Sequence, residues 1–169
     1  MGAPSLVVMG VSGCGKSTLG LELAQRLGFR YVEGDELHPP ENVARMAAGV
    51  ALTDADRQGW LETIASVLRD ARAQAQPVVV TCSALKRRYR DLLREGDPHL
   101  RLVYMQGDPA LLAQRIGARK DHYMPPSLLG SQLAALEVPA ADEEPIVVDV
   151  DTPTIEQTRL VLRGIAGAP

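Results

Sequence analysis

The segment Gly10-Val11-Ser12-Gly13-Cys14-Gly15-Lys16-Ser17 constrains the fold more than any other stretch of the chain. It fills an eight-position phosphate-loop pattern (Walker A) whose meaning depends on its flanks. Before it lies a short apolar run, residues 5–9. After it Leu19, Leu23 and Leu27 recur every fourth position beside Ala24, and Gly28 follows as a stop. A buried strand, a glycine loop and an amphipathic helix in that order build a cradle for phosphate: glycines let several backbone N–H groups point inward, and the helix adds its positive end. Lys16 is expected to reach the β- and γ-phosphates, and Ser17 to bind Mg²⁺ through its hydroxyl, so the chain is expected to take ATP with Mg²⁺ along Gly10 to Ser17 and Thr18. The plainer alternative, a strand-to-helix turn that binds nothing, is disfavoured because pattern and context are both met.

Further along, strand-like and helix-like stretches alternate between glycine, proline and polar breaks, which predicts a parallel sheet covered by helices. Strands are expected at Arg30–Glu33, 77–82, 100–105 and 145–148. Thr53-Asp54-Ala55-Asp56 resembles a capping box before the apolar stripe Trp60, Leu61, Ile64, Leu68, Ala71 and Ala75. Asp108-Pro109 and Thr152-Pro153 each read as an N-cap with proline in the first turn.

With 169 residues, 46% of them apolar, the chain matches one globular domain, 1–169. Its 21 acidic and 18 basic residues are interspersed and sum to −3, which excludes a basic stripe for nucleic acid. No apolar run approaches the ~18 residues of a membrane span, and no export signal is recognised, so a cytoplasmic protein without membrane or nucleic-acid partners is expected. Leu6 stands where an N-myristoylation signal wants Ser or Thr. Cys14 and Cys82 lack metal or redox spacing and read as packing residues in a reducing compartment.

Phosphate loops serve switches, motors and kinases alike, so the acceptor side must decide. The one asparagine, Asn42, sits outside any Asn-Lys-x-Asp guanine signature, and the valine-rich strand ends in Thr81-Cys82-Ser83 rather than in acidic residues. Both favour a small-molecule kinase over a nucleotide-dependent switch or motor. Glu33-Gly34-Asp35 follows the second strand, at the sheet edge where such folds bind ligands. Asp35 could aim an acceptor hydroxyl and take its proton, or simply satisfy a turn. His38 taken alone is more often a helix-entry residue than a ligand.

Several strings in order resemble the gluconate kinase family. They are Glu33-Gly34-Asp35-Glu36-Leu37-His38-Pro39 with Asn42 and Met46; Gly49, Leu52-Thr53-Asp54, Asp56-Arg57 and Trp60-Leu61; Cys82-Ser83-Ala84-Leu85-Lys86 with Tyr89-Arg90-Asp91; and His122-Tyr123-Met124-Pro125, Leu128-Leu129, Ser131-Gln132 and Leu136-Glu137. The resemblance covers the first strand to about Glu143 and implies a three-layer α/β/α P-loop kinase fold with a five-stranded parallel sheet and a helical lid over roughly 117–140. It also implies transfer of the ATP γ-phosphate to the 6-hydroxyl of D-gluconate, with a homodimer as a further expectation. A related kinase acting on shikimate or another polyol acid is the alternative. The departures are mild: Glu33 stands where Asp is common, Gly59 where Pro often is, Asp121 where Gly is usual, and Tyr123 and Leu133 replace phenylalanines. Glu33 keeps a carboxylate that could hold a Mg²⁺-bound water, one methylene further out.

A sugar acid needs a cation at its carboxylate and hydrogen-bonding groups along its hydroxyls. Arg57 is the first choice, since a guanidinium fork binds both carboxylate oxygens, with Lys86 and Arg45 behind it and Asp35, His38 and Ser83 lining the pocket. An exposed helix-start arginine is the alternative for Arg57. The run Arg87, Arg88 and Arg90 reads as a solvated helix face. Arg115 and Arg119, one helical turn apart, could clamp phosphates, Arg119 supplying charge to the transferred phosphoryl; an ordinary charged face is the alternative. His122 has no second ligand at metal spacing.

Overall fold

The computed structural model describes residues 2–118 and 128–167. The elements run β1 (Leu6–Met9), α1 (Lys16–Leu27), β2 (Arg30–Glu33), a 3₁₀ turn (Gly34–Leu37), α2 (Pro40–Ala47), α3 (Asp54–Ala73), β3 (Val78–Thr81), α4 (Arg87–Gly96), β4 (Arg101–Gln106), α5 (Pro109–Ala118), α6 (Leu128–Ala135), a second 3₁₀ turn (Ala141–Glu143), β5 (Ile146–Asp149) and α7 (Thr154–Ala166). The five strands are all parallel, in the order β2-β3-β1-β4-β5. The order reverses about β1, so the carboxyl ends of β1 and its neighbours open a crevice of the kind that holds ligands in such sheets.

Strand alternation builds a core on each face. Leu6 and Val8 point with Val79, Val103, Met105 and Val148 toward Leu19, Leu23 and Val161 of α1 and α7. Val7 and Met9 point the other way, with Val78, Val80, Leu102 and Tyr104, toward Trp60, Leu61, Ile64, Leu68 and Leu93 of α3 and α4. Burial on both faces is why β1 and β3 read as unbroken apolar runs. At Gly96 a methyl would lie 2.2 Å from the Ala65 carbonyl oxygen, which fixes how closely α4 approaches α3. Among the described residues no helix is long and apolar enough to cross a membrane.

Local chemistry accounts for the ends. Thr53 caps α3 in a reciprocal box with Asp56, and Gly28 closes α1 at φ +69°, both as expected. Three expectations are corrected. Ala75 lies beyond the end of α3 in a left-handed conformation, outside the helical stripe. Thr152 is not the cap of α7; Pro153 occupies that position without a side-chain bond, and the preceding turn is held by the Asp149 carboxylate accepting from the Asp151 N–H at 2.8 Å. Arg90 is not solvated: it is 1% exposed, bonding the Ala84 and Leu85 carbonyls and the equally buried Glu143. Arg87 and Arg88 do face solvent.

Candidate active site

The loop after β1 curls over the start of α1. Gly13 (φ +84°) and Gly15 (φ +93°) take left-handed conformations that side chains resist, and a methyl on Gly13 would lie 2.7 Å from Ile116 Cγ1. Ile116 and Leu112 of α5 therefore back the loop, and Arg115, half-buried, is carried on the same helix. Val11, Ser12 and Cys14 are buried and Thr18 is exposed. The Gly10 N–H donates to the Ser83 carbonyl at 3.4 Å, tying the loop to the end of β3. The Ser12 N–H donates to Gln132 Oε1 of α6 at 2.7 Å. Lys16 folds over the loop, its Nζ donating to the Gly10 and Val11 carbonyls at 3.0 and 3.2 Å.

Beside it stands Glu33, at the end of edge strand β2. Its Oε2 accepts from Ser17 Oγ at 2.6 Å and from the Tyr31 hydroxyl at 2.5 Å, and its Oε1 accepts from Thr81 Oγ1 at 3.0 Å. Burial pushes this carboxyl up, but the hydroxyls of Ser17, Tyr31 and Thr81 and the Lys16 charge outweigh it, leaving Glu33 below the usual range and ionised. Burial and the same carboxylate push the Tyr31 phenol up to about 12, so it stays a donor. An ionised carboxylate touching a serine hydroxyl is a pair of hard oxygen donors that fits Mg²⁺, and the left-handed glycines and the lysine beside it suit the phosphates that would accompany the ion.

Asp35 follows on the 3₁₀ turn. A methyl on Gly34 would stand 2.0 Å from the Thr81 carbonyl oxygen, so the turn lies directly against β3, and Trp60 Nε1 donates to the Gly34 carbonyl at 2.8 Å. His38 stacks on the Trp60 ring, centroids 3.9 Å apart, with Asn42 Nδ2 3.3 Å from its Nδ1. Burial and the Arg57 charge lower His38 to about 4, so it is neutral and part of the wall. Cys82 shows where the charges meet. Burial raises its thiol to about 12; an Ala84 N–H works against this, the Asp35 charge adds to it, and Lys16 and Arg57 oppose it. The charges of Asp35, Lys16 and Arg57 are thus all felt at the end of β3, and Cys82 is inert packing.

Of the expected carboxylate-binding cations, Arg57 donates to the Tyr89 hydroxyl at 3.1 Å with its guanidinium 5.5 Å from that ring's centre. Lys86 and Arg88 pair with Asp54, at 3.1 and 2.9 Å, and Tyr89 also donates to Asp54. Arg45, exposed, pairs with Asp56. Ser83 is half-buried beside the loop. Arg119 and His122 lie outside the described residues. Sequence reasoning gave no role in the site to Tyr31, Thr81, Trp60, Tyr89, Asp54 or Gln132. Tyr31 carried a local signal, its place two residues before Glu33 on a strand.

A phosphate loop at the central strand, facing a carboxylate-bearing turn across the sheet edge, defines a small-molecule kinase of the P-loop class, and the family model described as shikimate kinase matches residues 12–166. The gluconokinase of Gluconobacter oxydans strain 621H is 51% identical over 142 residues, 84% of this chain and 79% of that protein. The crystal structure of a gluconokinase from Sinorhizobium meliloti 1021 superposes with a TM-score of 0.88 at 47% identity, covering 97% of this chain and 92% of that one. An unliganded sugar kinase from Janibacter sp. HTCC2649 gives 0.93 at 41% identity, covering 99% and 96%. The chain belongs to the gluconokinase family of these ATP-dependent kinases.

Proposed function

We propose that the chain transfers the γ-phosphate of ATP to the 6-hydroxyl of D-gluconate, giving 6-phospho-D-gluconate and ADP. The observation that carries this is the Gly34-Asp35 turn, seated on β3 and bonded by Trp60, which sets a half-buried carboxylate at the strand end where the Lys16 and Arg57 charges also act. Asp35 accepts the proton of the 6-hydroxyl as that oxygen bonds to the γ-phosphorus and the bond to the β-phosphate oxygen breaks. Lys16 leaves the loop carbonyls for the phosphates, exchanging neutral acceptors for charged ones. Ser17 and Glu33 would hold Mg²⁺, Glu33 through water, and the ion would supply charge neutralisation for the transfer.

Arg57 takes the gluconate carboxylate, since its partner at Tyr89 is a neutral hydroxyl that exchanges at little cost, whereas Lys86 and Arg45 would first have to leave carboxylates. His38, Ser83 and Lys86 line the sugar chain. Arg115 of α5 steadies the transferred phosphoryl, and the same role is assigned to Arg119, which lies outside the described residues. A homodimer in the cytoplasm belongs to the same reading, and a light-scattering mass twice that of the chain checks the dimer. The functional test is ADP release from purified enzyme with Mg²⁺, ATP and a panel of gluconate, shikimate and other polyol acids. Gluconate is expected to dominate; turnover that ignores gluconate, or needs no acceptor, overturns the reading.

A further inference from the structure

We propose that Tyr31 is a positioning residue that acts through Glu33 on the Ser17 hydroxyl, resting on the reading of Ser17 and Glu33 as the Mg²⁺ side of the site. Tyr31 and Glu33 are two residues apart on β2, so their side chains leave the same face of the sheet. The oxygen that accepts from Tyr31 at 2.5 Å, Oε2, is the one that accepts from Ser17 at 2.6 Å. A hydroxyl has one proton and two lone pairs, so Ser17, by giving its proton to Glu33, frees both lone pairs for a hard cation.

Glu33 has one more rotatable bond than an aspartate would have, and a longer arm must be held or lose aim. Tyr31 holds it at Oε2 and Thr81 at Oε1, the latter donating at 3.0 Å. The phenol needs room, and Gly20 provides it: a methyl there would lie 2.8 Å from both Tyr31 Cε1 and Thr81 Cγ2. Glycine in the middle of α1 weakens the helix, and the space it leaves is filled by the tyrosine ring. Gly20, Tyr31, Thr81 and Glu33 together form a bracket around one serine hydroxyl.

The test is Tyr31→Phe, which keeps the ring and removes only the hydroxyl. Mn²⁺ binding to the enzyme–ADP complex, read by electron paramagnetic resonance, is expected to weaken about tenfold, as losses next to a metal ligand typically do. ADP affinity without metal and the thermal midpoint are expected to stay at parent values. In a Glu33→Gln background the same change is expected to add less than about twofold, because Tyr31 acts through that carboxylate. Gly20→Ala, which crowds the ring and leaves its hydroxyl in place, is expected to weaken Mn²⁺ in the same direction. Parent-like Mn²⁺ affinity in Tyr31→Phe, or losses that multiply in the double variant, overturns the proposal. The titration uses no acceptor, so failure of the parent to phosphorylate gluconate counts against the functional reading alone.

Discussion

At the scale of single residues, charge state decides who can do chemistry. In the proposed mechanism Asp35 takes the proton of the acceptor, while Glu33, its neighbour two positions back, is held by three hydroxyl donors. Asp35→Asn is therefore expected to leave ATP affinity within about twofold while kcat falls about 10²–10⁴-fold, the range for losing a general base; calorimetry and initial rates check the two halves separately. His38 carries the opposite kind of consequence. The folded protein keeps it neutral down to about 4, whereas the unfolded chain takes up a proton from about 6.5, so the unfolded state binds more protons between those values and stability falls as pH drops through that window. Thermal midpoints from pH 7 to 4 are expected to decline in the parent and to flatten in His38→Gln over that interval.

At the scale of elements, polar contacts between segments distant in sequence do much of the positioning. Arg90 of α4 and Glu143 of the second 3₁₀ turn are 53 residues apart, and each is 1% exposed. Their pairing holds Glu143 at about 2: burial raises it, and bonds from Arg90, Arg94 and the Ala140 N–H more than reverse that. Glu143→Gln leaves Arg90 buried without its counter-charge and is expected to cost about 3–5 kcal/mol in urea unfolding. These contacts mark the limit of what was legible beforehand. The loop at Gly10 to Ser17, the capping box at Thr53 and the strand ends at Glu33 and Thr81 each carry their signal within a few residues, and all stand within one residue of where expected. Arg90 read as solvated because its basic neighbours are next to it while Glu143 is far along the chain. The Trp60 bond to Gly34 and the Ser12 bond to Gln132 were hidden for the same reason: a side chain's partner across a fold leaves no periodic trace.

At the scale of the molecule, the phosphate loop is a junction. It is bonded to the end of β3 through Gly10 and Ser83, to α6 through Ser12 and Gln132, and packed on α5 through Gly13 and Ile116. A ligand held there ties together segments from both halves of the chain. ATP with Mg²⁺ at a hundred times its Kd is expected to stabilise the fold by about 2.7 kcal/mol, seen as a raised thermal midpoint, and Lys16→Ala is expected to lose most of that gain. The two walls of the acceptor pocket differ in how far they can be altered. Gly34 has a carbonyl oxygen where any side chain would have to go, and so cannot be replaced without pushing the turn that carries Asp35 off β3. On the other side, in the proposed reading, Arg45, Arg57 and Lys86 are held by side-chain partners rather than by packed backbone, Arg57 by a neutral hydroxyl and the other two by carboxylates. A breeder seeking a new acceptor would leave the proton-accepting wall alone and randomise the other.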